Sequence, residues 1–387
     1  MHILYIPSWY PLCPEDVSGV FFRDQALSIK KLGHKVGVLS LKLKSLKSFF
    51  NDKKLSSSFE IDNGINTYRR EVWSVLPKVP YGEAFLLKRV AKKLFKKYID
   101  ENGVPDIIHA HSSVYGGIIA VEIAKKNNIP VIITEHSSGF FRNKYKKWQL
   151  RLVDKVLDKV RKKIAVSPSL AIQLSERFAT KTSDWCYIPN AVSDRFKKDF
   201  IPVKEKTKFR FLNLAIMTKN KGQEDLLEAF HEFSKENLNV ELWFAGDGPL
   251  KEYLESKVKN LGLENRVRFL GRVSPNSVPE LLNDVDIMVV SSHYETFGVV
   301  AAEALMAGLP VISTKCGGPE CIVEKMDGYL IPVGDKSAMV KAMTHALNNS
   351  HNIDRSLIVQ RAKLRFSSDG IAIKLNKIYE RLRMERQ

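Results

Sequence analysis

No apolar run in the sequence approaches the roughly 20 residues needed to span a bilayer, so no membrane-crossing segment is expected. Cysteine is scarce. The four present, Cys13, Cys186, Cys316 and Cys321, form no CxxC pair and no Cys/His ligand series, which argues against a disulfide framework and against structural zinc. The opening MHILYIPSWYPL lacks a basic segment followed by a long apolar core and alternates like a first β-strand. A cleaved signal is therefore not expected, and the chain reads as a cytoplasmic protein. There is also no repeat at solenoid spacing and no low-complexity tract.

What is present is an ordinary globular composition, 44% hydrophobic and 27% charged over 387 residues, long enough for two domains with full cores. The net charge of +18 is uneven: residues 1–200 hold 35 Lys and Arg against 19 Asp and Glu (+16), which leaves 26 against 24 (+2) for residues 201–387. Such a field attracts polyanions, whether nucleic acid, an anionic membrane face or a phosphorylated acceptor, and is equally what a Lys-rich solvated surface produces.

Short β-rich runs alternate with helical patterns, the signature of parallel sheets covered by helices. Strands are expected at 2–6, 35–41, 106–111, 130–136 and 162–167, then at 209–216, 240–246, 267–271, 287–292 and 310–315. Each half can build its own doubly wound, Rossmann-like sheet, with a polar, Pro-containing hinge near 195–208. The expected organisation is an α/β pair of domains, 1–200 and 201–365, facing a central cleft, with a C-terminal helix over 366–387 returning to the first domain.

The stretch HYETFGVVAAEALMAGLPVIST (293–314) carries the sharpest chemical signal. From Val299 to Ala307 it reads as a short helix, apolar all round and closed by Gly308 and Pro310, with Glu303 in its middle and Glu295 just before it. A buried, unpaired carboxylate costs several kcal/mol. Glu303 therefore needs donors, which either a vicinal diol or a neighbouring Lys or Arg would supply. The residues Gly298 and Val299 open the helix, whose N-terminus suits a diphosphate or a sugar hydroxyl.

At this point the sequence resembles a known family. E-TFGVVAAE-ALMAGLPVI is similar to the Glu-x7-Glu signature of glycosyltransferase family 4, retaining, metal-independent enzymes of GT-B fold. HAHSS, TEHSSG, IAVSPSL, IPNAV, KG, FAGDGPL, FLGRV and CGGPE follow in the family's order and extend the resemblance over nearly the whole chain.

The resemblance implies that Glu303 holds the donor's ribose, that Glu295 contacts the hexose, and that Phe297, Gly298 and Val299 offer backbone N–H groups. Lys221 would neutralise the diphosphate, Gly19 would let the backbone approach it, and the backbone around Arg272 and Val273 would meet the base. His136 would lie beside the transferred sugar, with His111 a weaker second candidate, since one of His109 and His111 is expected to be satisfied structurally. The family commonly has an arginine where Ile216 stands, so that either Lys219 stands in or the diphosphate clamp is a single charge, and a glycine where Ala191 follows Asn190.

Other signals weigh less. Asp284 and Asp286 resemble an Asp-x-Asp metal motif but directly precede a strand, and the Gly246–Gly248 pair lacks the third glycine of a dinucleotide fingerprint. CGGPEC reads as a nest of N–H groups with Glu320 on a following helix, Cys316 and Cys321 being spectators. In FLLKRVAKKLFKKYI, Leu86, Val90, Leu94 and Tyr98 recur every fourth position with six basic residues over 88–97, and 142–163 adds further charge. That basic amphipathic pattern suits docking on an anionic membrane. The reading as a whole is a transferase moving a hexose from a nucleotide diphosphate sugar, UDP- or GDP-linked, to a hydroxyl acceptor. The acceptor is expected to be a lipid-linked intermediate of cell-surface polysaccharide at the inner face of the plasma membrane, with no cofactor, no metal and no nucleic acid. A nucleotide-sugar epimerase of the same architecture and a nucleic-acid binder are the alternatives.

Overall fold

The computed structural model describes every residue except 13–15, 17–18, 47–54, 77–78, 179–184, 197–206 and 386–387. The chain divides into two compact units, Met1–Ala191 with Ile371–Gln387, and Val192–Gly370. Cys13 and most of the hinge stretch lie outside the described residues.

The first unit is built on β1 (His2–Pro7), β2 (Lys35–Ser45), β3 (Ser57–Asp62), β4 (Ile65–Ser74), β5 (Ile107–His111), β6 (Val131–Glu135), β7 (Lys162–Ala165) and β8 (Trp185–Tyr187). Their order is β3-β4-β2-β1-β5-β6-β7-β8, parallel throughout except for the β3/β4 hairpin. Helices α1 (Val20–Lys31), α2 (Gly82–Asn102), α3 (Ile118–Ala124), α4 (Lys147–Leu157) and α5 (Pro168–Arg177) complete the crossovers. Every residue of β5 and β6 is buried, as expected of central strands covered on both faces. Ile3, Val38, Ile107, Ile132 and Ile164 pack with Ile371, Leu375 and Tyr379, which come from α12 (Ser368–Met384) after the chain has left the second unit.

The second unit holds β9 (Phe209–Leu214), β10 (Val240–Ala245), β11 (Val267–Gly271), β12 (Ile287–Val290), β13 (Val311–Thr314) and β14 (Gly328–Ile331). All are parallel, in the order β11-β10-β9-β12-β13-β14. Its helices are α6 (Gln223–Glu236), α7 (Lys251–Asn260), α8 (Val278–Asn283), α9 (Val299–Met306), α10 (Lys336–Asn348) and α11 (Arg355–Phe366). Strand order reverses between β9 and β12, and in such sheets ligands bind at the carboxyl ends of the strands at that point. The fold class is two Rossmann-like α/β units.

Two local expectations are corrected. On α2 the buried stripe is Ala84, Leu87, Ala91, Phe95 and Tyr98, whereas Leu86, Val90 and Leu94 are only half-buried on its flank. The four-residue row drifts around a helix of 3.6 residues per turn, so it does not track the seam that meets the sheet. Glu320 sits on a short 3-10 turn, Pro319–Cys321, and not on a helix. Its carboxylate accepts the Gly317 N–H at 2.9 Å, so the chain itself occupies part of the expected nest.

Candidate active site

In the second unit, the loops leaving β9 and β12 meet at the point of strand reversal. The first ends in the turn Lys219–Lys221, after which Gly222, at φ +60°, starts α6. A Cβ on Gly222 would overlap the Ser291 carbonyl oxygen, which explains why the lysine is followed by glycine. His293 N–H donates to the Asn220 carbonyl (2.8 Å), and Ser291 Oγ donates to the Lys221 carbonyl (2.7 Å). The two loops are thus laced together.

This lacing places Lys221 Nζ 2.5 Å from Glu295 Oε1, and Ser292 Oγ donates to the same oxygen at 2.7 Å. The Glu295 side chain is 15% exposed and that of Lys221 26%, so the pair is shielded without being sealed. Glu295 N–H donates to the Cys316 carbonyl (2.9 Å), bringing the CGGPE loop alongside. Burial pushes the Cys316 thiol up to about 12, with the Glu295 and Glu320 charges adding to the effect, so it stays protonated.

Phe297 is buried against Phe366, and Gly298 at φ +87° turns the chain into α9, which no side chain caps. The first-turn N–H groups of a helix have no partners within it. Glu303 lies on α9, but the expectation of a fully enclosed acid is corrected: its side chain is half-buried and has an interaction within the protein. Of the interval from Glu295 to Glu303 only Val299 onward is helical. Arg272, exposed on the loop after β11, pairs with Asp247 at 3.2 Å, and Val273 follows it.

Gly19, Ser8, His111 and His136 stand on the carboxyl edge of the first unit's sheet. Gly19, at φ +78°, starts α1. His109 is satisfied by Tyr379 Oη and Thr134 Oγ1, each at 2.7 Å, as expected of a structural histidine. His111 instead turns to His136, with Nδ1 3.1 Å from His136 Nε2. Burial lowers both His109 and His136 to about 3. Ala191 does not take a positive φ, which is the condition its substitution for glycine requires.

The sequence reading missed Ser292, and it missed Glu135. The Glu135 carboxylate is buried and accepts three backbone N–H groups, from Ser113 (2.7 Å), His136 (2.9 Å) and Ser137 (2.8 Å). Burial raises its pKa, against the opposing pull of those bonds. Polar residues closing otherwise buried strands, VVSS and IITE, were the available signal. Asp286, by contrast, lies at the amino end of β12, accepting the Arg210 N–H at 2.8 Å and pairing with Arg355 at 3.6 Å.

Comparison with known proteins places this geometry. The family described as glycosyl transferases group 1 matches residues 194–365, and glycosyltransferase family 4 matches residues 18–196. A putative teichuronic acid biosynthesis glycosyltransferase, TuaC of Bacillus subtilis, is 27% identical over 89% of this chain and 88% of its own. The N-acetyl-alpha-D-glucosaminyl L-malate synthase of Bacillus anthracis is 30% identical over 71% of this chain and 73% of its own. Among solved structures, a sucrose-phosphate synthase from Thermosynechococcus elongatus superposes with a TM-score of 0.76 over 98% of both chains at 21% identity. Anabaena HepE in complex with UDP gives 0.73 over 98% of this chain and 100% of its own at 17% identity. The chain belongs to glycosyltransferase family 4 and is a GT-B glycosyltransferase that uses a sugar-nucleotide donor.

Proposed function

We propose that the protein is a retaining, metal-independent hexosyltransferase. A nucleotide diphosphate sugar binds the second unit and a hydroxyl acceptor binds the first. The observation that carries this reading is the Lys221–Glu295 pair at the strand-reversal point, directly before the N-terminus of α9. Lys221 and the helix N–H groups stabilise the departing diphosphate, Glu295 and the backbone N–H groups of Phe297, Gly298 and Val299 hold the hexose and phosphates, and Glu303 holds the ribose. The backbone of Arg272 and Val273 meets the base, and on the carboxyl edge of the first unit's sheet Gly19 and His136 are the candidates for substrate contact. The acceptor oxygen bonds to the anomeric carbon as the bond to the diphosphate breaks, on the same face, and the acceptor's proton passes to the diphosphate oxygen. UDP bound in HepE supports testing uridine donors first.

The acceptor we favour is lipid-linked. On α2, Phe85 is 62% exposed and shares an outward face with Arg89, Lys92, Lys93 and Lys96, and Tyr81 packs on Trp148 of the equally basic α4. That face suits an anionic bilayer surface. No helix among the described residues is long and apolar enough to cross a membrane. Transfer from a panel of radiolabelled nucleotide hexoses to lipid extracts tests the reaction, and sedimentation with vesicles with and without anionic lipid tests the docking. Hydrolysis or isomerisation of the donor without transfer, or equal binding to both vesicles, would overturn the corresponding part.

A further inference from the structure

The two loops that carry Lys221 and Glu295 are fastened a second time, by a pair of side chains to which the transfer chemistry assigns no part. His293 precedes Glu295 by two residues, and its Nε2 lies 2.8 Å from Asp225 Oδ2 in the first turn of α6. A carboxylate only accepts, so the imidazole donates from Nε2. The ring reaches Asp225 by passing over Gly222, where a Cβ would stand 3.4 Å from His293 Cδ2.

The neighbouring acids of α6 are engaged elsewhere. Glu224 accepts from Lys257 of α7 (2.7 Å), and Glu228 pairs with Lys257 and with Lys336 of α10, contacts that tie α6 to other helices. Of these three acids it is Asp225 that joins α6 to the loop leaving β12. Backbone groups hold the same seam: His293 N–H donates to the Asn220 carbonyl (2.8 Å), and Asn220 Nδ2 donates to the Tyr294 carbonyl (3.0 Å). Side chains meet across it at Lys221–Glu295, just before Gly222, and at Asp225–His293, just after.

The second pair is too open to matter much for folding. The His293 side chain is 45% exposed and that of Asp225 24%, and exposed ion pairs contribute little to stability. The position of the nearby lysine is far more sensitive. Lys221 belongs to a turn of three residues, Lys219–Lys221, and continues into α6 through Gly222, the residue type whose backbone resists rotation least. A displacement of about 1 Å at a reacting group can cost on the order of a hundredfold. What the pair can fix is therefore where Lys221 stands.

We propose that Asp225 and His293 are positioning residues for Lys221: the imidazole, bridging over Gly222, holds the first turn of α6 and the lysine turn against the loop that bears Glu295, so that the ammonium meets the diphosphate in place. The role rests on the transferase reading above. Neither side chain touches the donor or exchanges a proton with it; both act through Lys221.

The nucleoside diphosphates UDP, GDP, ADP and dTDP carry the charge that the leaving group develops, so their affinity for the whole protein, read by calorimetric titration, reports what Lys221 contributes. With whichever of them binds, His293→Ala and Asp225→Asn should each raise Kd about threefold to tenfold, part of one hydrogen bond to a charged group. The melting temperature should move by less than about 3 °C. His293→Gln, whose amide donates from nearly the place of Nε2, should bring Kd back to within about twofold of the parent. In a Lys221→Ala background, adding His293→Ala should change Kd by less than about twofold, because the residue it acts through is gone. An unchanged Kd in His293→Ala overturns the positioning role. The same loss with and without Lys221 overturns it too, since His293 would then meet the nucleotide itself or act through the fold at large. If the parent protein binds none of the four, what falls is instead the donor site at Lys221 on which the role depends.

Discussion

Lys221 Nζ donates to Glu295 Oε1 across 2.5 Å, joining the loop that leaves β9 to the loop that leaves β12. A shielded pair of this kind acts as a unit. Replacing Lys221 by Ala should lower kcat by roughly a hundredfold or more, the usual loss of one donor to developing charge. Glu295→Ala should also lower kcat more than it raises donor KM. The double variant should be little worse than the poorer single one, and steady-state kinetics on the four proteins measures this. Effects that add to within about 0.5 kcal/mol would mean that the two residues work separately.

Glu303 stands on the second turn of the same helix and, in the proposed mode, accepts from the ribose diol. Glu303→Ala should weaken UDP or GDP binding by about tenfold or more, tenfold corresponding to about one hydrogen bond to a charged group, while the melting temperature of the free protein changes little. Calorimetric titration reads the first and thermal unfolding the second. Unaltered nucleotide affinity would remove Glu303 from the site.

Gly222 shows how packing, and not chemistry, dictates part of the motif. Any side chain there meets the Ser291 carbonyl and must also adopt φ +60°. Gly222→Ala should cost roughly 2–3 kcal/mol, lowering the melting temperature by about 5–10 °C. A variant as stable as the parent would show that the two loops can separate.

Much of this was legible in the sequence because most of the parallel strands are buried on both faces and read as continuous apolar runs; ten strands stood out, the partly exposed edge strand β11 among them. What was missed was marginal in that sense: β8 and β14 are short edge strands, and the β3/β4 hairpin carries exposed residues along its outer strand. Its turn, Asn63-Gly64 with both φ positive, was nonetheless a readable hairpin signal. Glu295 and Lys221 could be nominated by resemblance, but their contact could not, because it spans 74 positions in the chain. Glu303 misled in the opposite direction. An apolar flanking sequence says that a helix is buried, but not that each of its side chains is, and this one reaches the edge of the covered face.

The histidines of the first unit predict an acid sensitivity. His109 and His136 titrate near 3 in the folded protein and near 6.5 when unfolded, because burial disfavours the imidazolium. Between those values the unfolded chain binds more protons than the native one. The stability is therefore fully present above about pH 6.5 and is lost as the pH falls toward 3. His111 is shifted in the same direction. The groups facing this cluster, Tyr5, Thr134 and Tyr379, are neutral hydroxyls in that window, whereas Glu135, whose pKa burial raises, takes up its proton more readily in the folded protein and offsets part of the loss. Denaturant unfolding at pH 7, 6 and 5 should show a steepening loss, reduced in His109→Gln. A flat profile would mean that these rings are hydrated in solution.

Metal independence can be argued from where the one Asp-x-Asp pair lies. Asp286 precedes Ile287, so it stands at the amino end of β12, whereas Ser292 and Glu295 follow the carboxyl end of the same strand. Four residues of strand separate the ends by roughly 13 Å. The Asp286 carboxylate is committed to the Arg210 N–H and to Arg355, fastening β9 and α11 to β12. A cation bound there would be on the wrong edge of the sheet to meet a diphosphate at Lys221. Transfer should accordingly survive EDTA without loss. Asp286→Asn should lower stability by about 1–2 kcal/mol and leave the kcat of the folded fraction unchanged. If chelation abolishes transfer and Mg²⁺ or Mn²⁺ restores it, leaving-group stabilisation by Lys221 and the α9 N-terminus is insufficient, and a cation must share the diphosphate with them.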